Sequence, residues 1–420
     1  MHIGSTLHPS DSELISMKKG YFIQQMRAQQ KWRLEDSVNL LPSENVTSPQ
    51  VRALLSSDFG HRYTLPVNAK YAGEYLENGY RGTKITTEIE QSAEELACEV
   101  FRSKYACVQP LSGHIAAMIA IVSATKRGDT MCAIPVEYGG YDGYGQAYLP
   151  DIFGLKACTL PFNPDSFTIQ TDKAAAMIRK RKPKLVILGA SFILFPYDMK
   201  PIREACERTG STLMYDGSHV LGLIAGGEFQ QPLKEGANVL YGSTHKSFFG
   251  PQGGLIVSDD RNADREIRKN LTWRIVDNIH WNRIAALGQA LLETQRHGSR
   301  YAKQIIRNSK RLGRELSERG FPIMFEELGY TQSHQLLIDQ KKLRKTYGSS
   351  MNDFSIKVEK SNLIIDSVGR LGTAEITRMG VKEKDLSELA DLFMDAAEGT
   401  NVKRRVKAFR ERFDMDYIIR

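Results

Sequence analysis

A lysine at position 246 stands where covalent chemistry is possible. Lys246 follows the small and hydroxyl-bearing run Gly242-Ser-Thr and precedes a Gly250-Pro251 turn and the apolar run Gly254-Leu-Ile-Val. A lysine amine can form a Schiff base with a carbonyl carbon when the protein activates it. The alternative is a surface cation beside a turn, which is the commoner fate of lysine. The other residues around Lys246 in the sequence must decide between a Schiff-base lysine and a surface cation.

A carboxylate precedes this lysine by 30 residues. Asp216 ends the run Thr212-Leu-Met-Tyr-Asp, which has the pattern of a buried strand. Open α/β sheets bind ligands at the carboxyl ends of their strands. A carboxylate there can pair with a pyridinium nitrogen, which pyridoxal phosphate chemistry needs because the protonated ring accepts the electrons released at the substrate Cα. An aspartate that caps the next turn explains Asp216 equally well.

A third segment, Gln109-Pro-Leu-Ser-Gly-His-Ile-Ala-Ala-Met, follows a predicted strand and opens a predicted helix. Ser112, Gly113 and the first helical amides could cradle a dianionic phosphate. An ordinary N-cap serine explains Ser112 equally well. The order of a phosphate loop, a strand-end aspartate and a lysine is the stronger signal, since all three could line one sheet edge. Together they favour a pyridoxal phosphate site.

The elements that would position these residues follow two patterns. From about residue 85 to 260, apolar runs alternate with helix-length segments, which predicts βα units and a mostly parallel sheet. A helical stretch at 280–319, strand-like pieces and a charged helix near 383–397 then predict a smaller α+β unit. The predicted strands are 106–109, 130–134, 184–189, 212–216, 254–257, 322–325, 335–339 and 362–366, and further helices are predicted near 86–103 and 198–209. We predict an N-terminal arm over residues 1–50, a large domain over 51–285 and a small C-terminal domain over 286–420.

The composition is that of an ordinary globular protein, with 41% hydrophobic and 25% charged residues. No apolar run approaches the roughly 18 residues of a membrane span, and the first residues do not have the pattern of a secretory signal, so a cytoplasmic location is expected. The net charge of +8 is spread out apart from runs at 179–184 and 403–405, so nucleic-acid binding is not expected. Five cysteines without a Cys-x-x-Cys pair predict reduced thiols and no metal site.

Three longer segments resemble serine hydroxymethyltransferase and its relatives among the fold-type I pyridoxal phosphate enzymes. Leu41-Pro-Ser-Glu-Asn-Val-Thr-Ser-Pro is similar to the family's Ala-Ser-Glu-Asn-x-x-Ser-Pro segment. Asp216-Gly-Ser-His-Val-Leu-Gly-Leu-Ile-Ala-Gly-Gly resembles its Asp-x-Ala-His-x-x-Gly-Leu-x-Ala-x-Gly stretch, and Thr244-His-Lys-Ser-Phe-Phe-Gly-Pro-Gln-Gly-Gly resembles its Thr-His-Lys-x-x-x-Gly-Pro-Arg-Gly-Gly motif. The resemblance implies an aspartate aminotransferase-like α/β fold, with a mostly parallel sheet in the large domain and a smaller C-terminal α+β domain. It also implies a homodimer.

The resemblance further implies roles position by position. Lys246 would hold the cofactor as a Schiff base, and Asp216 would bind the pyridine nitrogen. The other cofactor-binding candidates are Ser112, Gly113 and His245 at the phosphate, Ser191 and His219 near the ring hydroxyl, Tyr138 at the ring face, and His114. For the amino-acid substrate, Arg370 and Ser43 match residues at the carboxylate, and Tyr63 and Tyr80 match two active-site tyrosines.

The sequence departs from the family pattern at four places. Leu65 stands where the family has a glutamate used in folate-dependent hydroxymethyl transfer, and Tyr138 replaces the ring-stacking histidine. The family's Phe-Pro-Gly-x-Gln-Gly-Gly loop, which reaches the partner's phosphate, has no counterpart after residue 265. The chain reads Asp277-Asn-Ile-His-Trp-Asn-Arg instead, with His280 or Asn278 as candidate substitutes. Gly79 replaces the first of two adjacent tyrosines.

These departures favour a variant of the family's reaction. We predict aldol cleavage or transfer at the Cα–Cβ bond of a small β-hydroxy amino acid or glycine, of the threonine aldolase or transaldolase type, with an aldehyde as candidate acceptor. The base for the β-hydroxyl proton stays open among Tyr63, His219 and an ordered water. The alternatives are a folate-dependent hydroxymethyltransferase, a racemase, decarboxylase or aminotransferase, and an inactive pyridoxal phosphate-binding paralogue with a regulatory role. Retention of Lys246, Asp216 and Arg370 argues against the inactive paralogue.

Overall fold

The computed structural model describes residues 20–64, 66–71 and 73–419. Leu65 and the first 19 residues of the predicted arm lie outside this described part. The α-helices are α1 (Tyr21–Lys31), α2 (Pro49–Leu55), α3 (Lys84–Phe101), α4 (Gly113–Ala124), α5 (Leu149–Phe153), α6 (Thr171–Arg181), α7 (Lys200–Thr209), α8 (Leu221–Ala225), α9 (Arg261–Leu271), α10 (Trp281–Glu318), α11 (Gln340–Tyr347), α12 (Met351–Glu359), α13 (Ala374–Arg378), α14 (Leu386–Glu398) and α15 (Lys403–Arg410). A π-helical turn covers Trp32–Asp36, and 3₁₀ turns cover Asp58–His61, Val136–Tyr138, Asp142–Tyr144, Glu326–Leu328 and Glu383–Asp385.

The strands form one large sheet and several two-stranded pairs. They are β1 (Val38–Asn39), β2 (Pro66–Tyr71), β3 (Glu74–Asn78), β4 (Tyr105–Cys107), β5 (Thr130–Ala133), β6 (Lys156–Thr159), β7 (Phe162–Asn163), β8 (Thr168–Ile169), β9 (Leu185–Leu188), β10 (Thr212–Asp216), β11 (Val239–Ser243), β12 (Gly254–Ser258), β13 (Gln335–Leu337), β14 (Leu363–Ile364) and β15 (Arg370–Gly372). Seven of them form a sheet in the order β4-β12-β11-β10-β9-β5-β6, in which β12 alone runs antiparallel to its neighbours. The predicted mostly parallel sheet is therefore present.

Both faces of this sheet are covered, which explains why its central strands read as continuous apolar runs. Along β9, Val186 and Leu188 belong to one buried apolar cluster, whereas Leu185 and Ile187 belong to another. This alternation follows from the two-residue period of a strand. The helices on the two faces hold the sheet rigidly, and its strand ends are therefore fixed relative to one another.

A further apolar cluster lies in the C-terminal part of the chain. It is built from α12, α14 and α15 and includes Val38 and Leu40 from the N-terminal segment, where β1 pairs in parallel with β14. The 38-residue helix α10 contributes to two apolar cores. Its Leu287 packs in a core of the large sheet, and its Leu316 packs in the C-terminal core. The domain boundary near residue 285 stays a prediction.

Two local expectations from the sequence are wrong. The predicted strand at 322–325 is wrong, because only a single bridge from Ile323 to Ile338 forms and Phe325 has a left-handed φ of 64°. Reduced thiols were expected throughout, but Cys132 and Cys158 form a disulfide. These two residues pair directly in the register of β5 and β6, a proximity that sequence spacing does not reveal.

In the described residues, no helix is long and apolar enough to cross a membrane, and no cluster of three potential metal-ligating side chains occurs.

Candidate active site

Three strand ends meet at one edge of the large sheet. Asp216 ends β10, Lys246 follows β11, and Ser112 lies between β4 and α4. Side chains from all three segments line a cavity of about 240 Å³. The predicted cofactor-binding residues at this cavity are Ser112, Gly113, His114, Ser191, Asp216, His219, His245 and Lys246. The structure therefore brings together every predicted cofactor residue except Tyr138.

The Ser112–Gly113 turn lies very close to β11, the strand that precedes Lys246. The Ser112 hydroxyl accepts the Ile115 N–H at 3.1 Å and caps the 12-residue helix α4. A Cβ on Gly113 would lie 2.1 Å from the Ser243 Oγ, so only glycine permits this approach. The Nδ1 atom of His245 is buried without a hydrogen-bond partner. A helix N-terminus and an unpartnered imidazole nitrogen beside one cavity suit a phosphate group.

Burial shapes the reactivity of Lys246. Burial and, to a smaller extent, the positive charge of Arg370 lower the pKa of the Lys246 amine to about 8, against the opposing attraction of Asp216. A lysine with this pKa supplies more neutral amine near pH 7 than an ordinary lysine, and the neutral amine is the nucleophile. The site therefore suits covalent attachment of an aldehyde cofactor.

Asp216 is held by partners on both carboxylate oxygens. Oδ1 accepts the Ser218 backbone N–H at 2.9 Å, and Oδ2 accepts the Tyr144 hydroxyl at 2.6 Å. The Tyr144 oxygen also lies 2.6 Å from the Tyr241 oxygen, so the two buried phenols form a chain that ends on the aspartate. Burial and the charge of Asp216 raise the pKa of Tyr144 well above 10, so Tyr144 stays a donor. This arrangement fixes the orientation of the Asp216 carboxyl group.

His219 lies between Lys246 and a buried amide. Its Nε2 is 3.3 Å from the Lys246 Nζ, and its Nδ1 is 2.9 Å from the Gln335 Nε2. Burial, together with the positive charges of Lys246 and Arg370, lowers the pKa of His219 well below 6.5. His219 is therefore neutral. The ring of His334 is nearly parallel to it, with 5.9 Å between the centroids.

A second cavity, of about 1030 Å³, contains the predicted substrate side. Ser43 and Arg370 line it, and it meets the first cavity at Ser191, His219 and Lys246. The Arg370 Nε donates to Asp366 at 2.7 Å, and its Nη1 donates to the Ser191 carbonyl at 2.8 Å. Ser191 thus contacts Arg370 through its backbone oxygen.

Aromatic side chains occupy the outer part of the second cavity. The Arg370 guanidinium lies over the Phe192 ring, 4.7 Å from its centroid. Tyr138 stacks on Phe162 with 5.2 Å between the centroids and lines this second cavity. At the first cavity, Tyr141 takes the neighbouring position and its hydroxyl lies 2.8 Å from the His114 Nδ1.

Tyr63 and Tyr80 are not brought to Lys246 within one chain. They contact each other with 5.0 Å between ring centroids, and 41% and 46% of their surfaces are exposed. The Tyr63 hydroxyl donates to Asp277 at 3.2 Å. Neither tyrosine lines either cavity, nor does His280 or Asn278. The sequence pattern places these residues near the substrate, but the single chain does not.

Four residues of the site escaped the sequence analysis. They are Tyr144, Tyr241, Asp366 and Gln335. The three-residue spacing of Tyr138, Tyr141 and Tyr144 was an available signal for aromatic residues along one short turn. No local pattern identifies Gln335, because its partners are distant in the sequence.

Comparison with known proteins identifies a family that matches most of the chain. The family model described as "Serine hydroxymethyltransferase" matches residues 17–393. A serine hydroxymethyltransferase of Methanobrevibacter smithii is 40% identical over 392 residues, which cover 90% of this chain and 91% of the relative. One from Methanocaldococcus jannaschii is 37% identical over 411 residues, which cover 93% of this chain and 94% of the relative.

A solved structure shares the fold. It is the L-threonine transaldolase from Pseudomonas fluorescens in its internal aldimine state, with a TM-score of 0.83 and 25% identity, covering 95% of this chain and 93% of that chain. The predicted family resemblance and the fold-type I architecture are thereby confirmed.

Proposed function

The chain belongs to the serine hydroxymethyltransferase family and is a pyridoxal phosphate-dependent enzyme that acts on amino acids, and from that premise we propose a more specific reaction. It cleaves the Cα–Cβ bond of a small β-hydroxy amino acid such as threonine and transfers the glycine unit to an aldehyde. The observation that carries this proposal is the second cavity. Lys246, Arg370 and the aromatic side chains Phe167 and Phe192 all line it, and its volume of about 1030 Å³ leaves room for an acceptor beside an amino acid.

The first cavity would hold the cofactor. Lys246 would bind it covalently, Asp216 would pair with the ring nitrogen, and Ser112, Gly113 and His245 would hold the phosphate. When bound there, pyridoxal phosphate supplies an electron-accepting ring next to the substrate Cα. The Tyr144 hydroxyl and the Ser218 amide fix the orientation of Asp216, and a carboxylate at this place would favour a protonated ring nitrogen.

Arg370 orients the substrate by its carboxylate. Asp366 and the Ser191 carbonyl hold the guanidinium plane, so two parallel hydrogen bonds to a carboxylate fix direction as well as charge. Ser43 lies in the same cavity and assists. With the carboxylate held there, the Cβ–hydroxyl group of the substrate extends into the second cavity.

The bond changes balance without an external redox partner. In cleavage, the Cα–Cβ bonding pair remains on Cα, the β-hydroxyl loses its proton, an aldehyde leaves, and Cα takes up a proton when glycine is released. In transfer, Cα attacks the carbonyl carbon of the acceptor, and the new alkoxide takes up a proton. Phe167, Phe192 and Met324 give the acceptor side an apolar lining, which suits an aldehyde with an apolar substituent.

Folate-dependent hydroxymethyl transfer is the second candidate. The names of the archaeal relatives favour it. The leucine at position 65 disfavours it, because the family's carboxylate for that reaction is missing from the sequence. Racemase, decarboxylase and aminotransferase activities remain further alternatives, since they use the same cofactor site.

The proposed enzyme is a homodimer. Tyr63 and Tyr80 match active-site tyrosines yet lie exposed and outside both cavities of their own chain. A second copy offers the means by which they would reach a site. The cytoplasmic location stays a prediction.

Product analysis tests the reaction. The purified holoenzyme is given threonine, with and without an added aldehyde, and glycine, acetaldehyde and any new β-hydroxy amino acid are measured. We expect all three products, and none from Lys246→Ala. In parallel, serine is supplied with and without tetrahydrofolate. Strong stimulation by tetrahydrofolate would select the folate reaction, and keto acids without exchange of the glycine α-proton would select transamination.

A further inference from the structure

Gln335 contacts two backbone groups and the His219 ring through its side-chain amide. It begins β13, and its side chain is fully buried. Oε1 accepts the Ile193 backbone N–H at 3.0 Å, and Nε2 donates to the Ser191 carbonyl at 3.1 Å. The same Nε2 lies 2.9 Å from the His219 Nδ1. Both hydrogens of the amide nitrogen thus have partners inside the protein.

The backbone of residues 191–193 determines the orientation of this amide. The Ile193 N–H can only donate, and the Ser191 carbonyl can only accept. Oε1 must therefore face Ile193, and Nε2 must face Ser191, since the reversed amide would oppose donor to donor and acceptor to acceptor. The second hydrogen on Nε2 then points at the His219 Nδ1. That nitrogen has to be an acceptor.

The acceptor role of Nδ1 decides where the His219 proton sits. The charged and titratable groups around the ring are Lys246, Arg370, His334 and His245, and each disfavours a second proton on it. A neutral imidazole carries one proton, so a ring that accepts at Nδ1 is protonated at Nε2. The Nε2 atom is the one that lies 3.3 Å from the Lys246 Nζ.

We propose that Gln335 is a positioning residue that holds His219 in the Nε2–H tautomer, so that His219 directs an N–H at the Lys246 nitrogen, which accepts it whenever that nitrogen carries a lone pair. The inference rests on the proposed function of this site and assigns a role within it. Because Nε2 carries the proton, His219 has no lone pair directed at the cavity. His219 therefore does not take the β-hydroxyl proton of the substrate, which leaves Tyr63 of a second copy and an ordered water as the candidate bases.

The same amide also supports the substrate side. The Ser191 carbonyl accepts from both the Gln335 Nε2 and the Arg370 Nη1. Gln335 thus helps to fix the Ser191 carbonyl, which also accepts a hydrogen bond from the Arg370 guanidinium. Loss of the amide is expected to affect turnover through His219 and, to a smaller extent, substrate affinity through Arg370.

Nuclear magnetic resonance of the histidine rings tests the tautomer directly. The holoenzyme is labelled with ¹⁵N-histidine, long-range ¹H–¹⁵N correlations are recorded, and His219→Gln identifies the His219 signals. We expect an unprotonated Nδ1 and a protonated Nε2 in the wild type. A protonated Nδ1 in the wild type would overturn the proposal, and this measurement does not depend on any variant folding.

Two variants then separate positioning from simple packing. In Gln335→Glu, the carboxylate can accept but not donate, so the His219 Nδ1 should gain a proton and turnover should fall by about tenfold or more, the equivalent of one lost hydrogen bond. Gln332→Glu adds the same charge at an exposed site on the same segment and should change neither the tautomer nor the rate. An unchanged His219 spectrum in folded Gln335→Glu would contradict the proposal.

The proposed reaction and the proposed role of Gln335 can be overturned independently. If the wild-type enzyme forms no acetaldehyde from threonine while Nε2 carries the proton, the reaction proposed above is overturned and the tautomer assignment is upheld. If threonine is cleaved while Nδ1 carries the proton, the role of Gln335 is overturned and the reaction is upheld.

Discussion

The Tyr144 phenol donates to Oδ2 of Asp216 at 2.6 Å and itself lies 2.6 Å from the Tyr241 phenol oxygen. All three side chains are buried. A hydrogen bond to a charged, buried acceptor stabilises the charged form more than one between neutral groups. Tyr144 is thus the side chain that donates a hydrogen bond to the carboxylate expected to face the cofactor nitrogen.

Replacement of Tyr144 by phenylalanine should weaken turnover while leaving the protein folded. The lost bond to the Asp216 carboxylate is worth about 1.5–3 kcal/mol, which corresponds to roughly a 10- to 150-fold lower kcat. The measurement is kcat for threonine cleavage together with the visible absorbance of the bound cofactor. Tyr148→Phe, at an exposed tyrosine nearby, is the matched control and should behave like the wild type. Equal rates for the two variants would contradict the role of Tyr144.

The low pKa of Lys246 predicts how cofactor uptake depends on pH. Burial lowers this pKa to about 8, and only the neutral amine attacks the cofactor aldehyde. Uptake by the cofactor-free enzyme should therefore slow about tenfold for each pH unit well below 8 and level off above it. Rapid-mixing absorbance measurements give the rate at each pH, with Lys246→Ala as the blank. A midpoint near 10.5, the ordinary lysine value, would show that burial does not tune the amine.

Strand ends could be predicted from the sequence, whereas contacts made across the fold could not. Asp216, Lys246 and Ser112 each follow an apolar run, and parallel strands bring such positions to one edge. Gln335 begins a strand in the C-terminal part, and its partners Ser191 and His219 lie more than 100 residues away. Only the packing of the C-terminal part against the large sheet creates that contact.

For two exposed tyrosines, the motif match and the structure of the single chain disagree. The motif match assigned Tyr63 and Tyr80 to the active site, but both are exposed on the single chain and neither lines a cavity. A motif carries information about the working assembly, whereas burial within one chain does not. The predicted strand at 322–325 failed for a local reason, since the left-handed backbone of Phe325 interrupts an extended run.

Arg370 should be sensitive to a substitution that keeps its charge. Lysine cannot form two parallel bonds to a carboxylate, so Arg370→Lys should raise KM for threonine by roughly 10-fold or more, an effect of about 1.4 kcal/mol or larger. Asp366→Asn removes the carboxylate that holds the guanidinium and should raise KM by a smaller factor in the same direction. Steady-state kinetics measure both. Asp172→Asn, at an exposed position on α6, serves as the control, and an Asp366→Asn enzyme indistinguishable from it would remove Asp366 from the site.

The Glu293–Arg378 ion pair should matter for stability and not for chemistry. It joins α10 to α13, and both side chains are completely buried. Glu293→Gln would leave the Arg378 charge without its counter-ion, which typically costs about 3–5 kcal/mol of the free energy of unfolding. Urea unfolding measures the change. Glu388→Gln breaks the exposed pair with Arg412 and should cost no more than about 1 kcal/mol. Similar losses in the two variants would contradict the distinction.

Subunit mixing tests whether Tyr63 serves a second copy. If Tyr63 completes the partner's site, Tyr63→Phe and Lys246→Ala homodimers are both impaired, but a mixed dimer has one site without either defect. Refolding the two variants together in equal amounts should then restore about a quarter of the wild-type sites, because half of the dimers are mixed. Mixing Lys246→Ala with Asp216→Ala is the control. These two residues line the same cavity of one chain, so every mixed site keeps a defect and no recovery is expected. Recovery in neither mixture would mean that Tyr63 does not act across the interface.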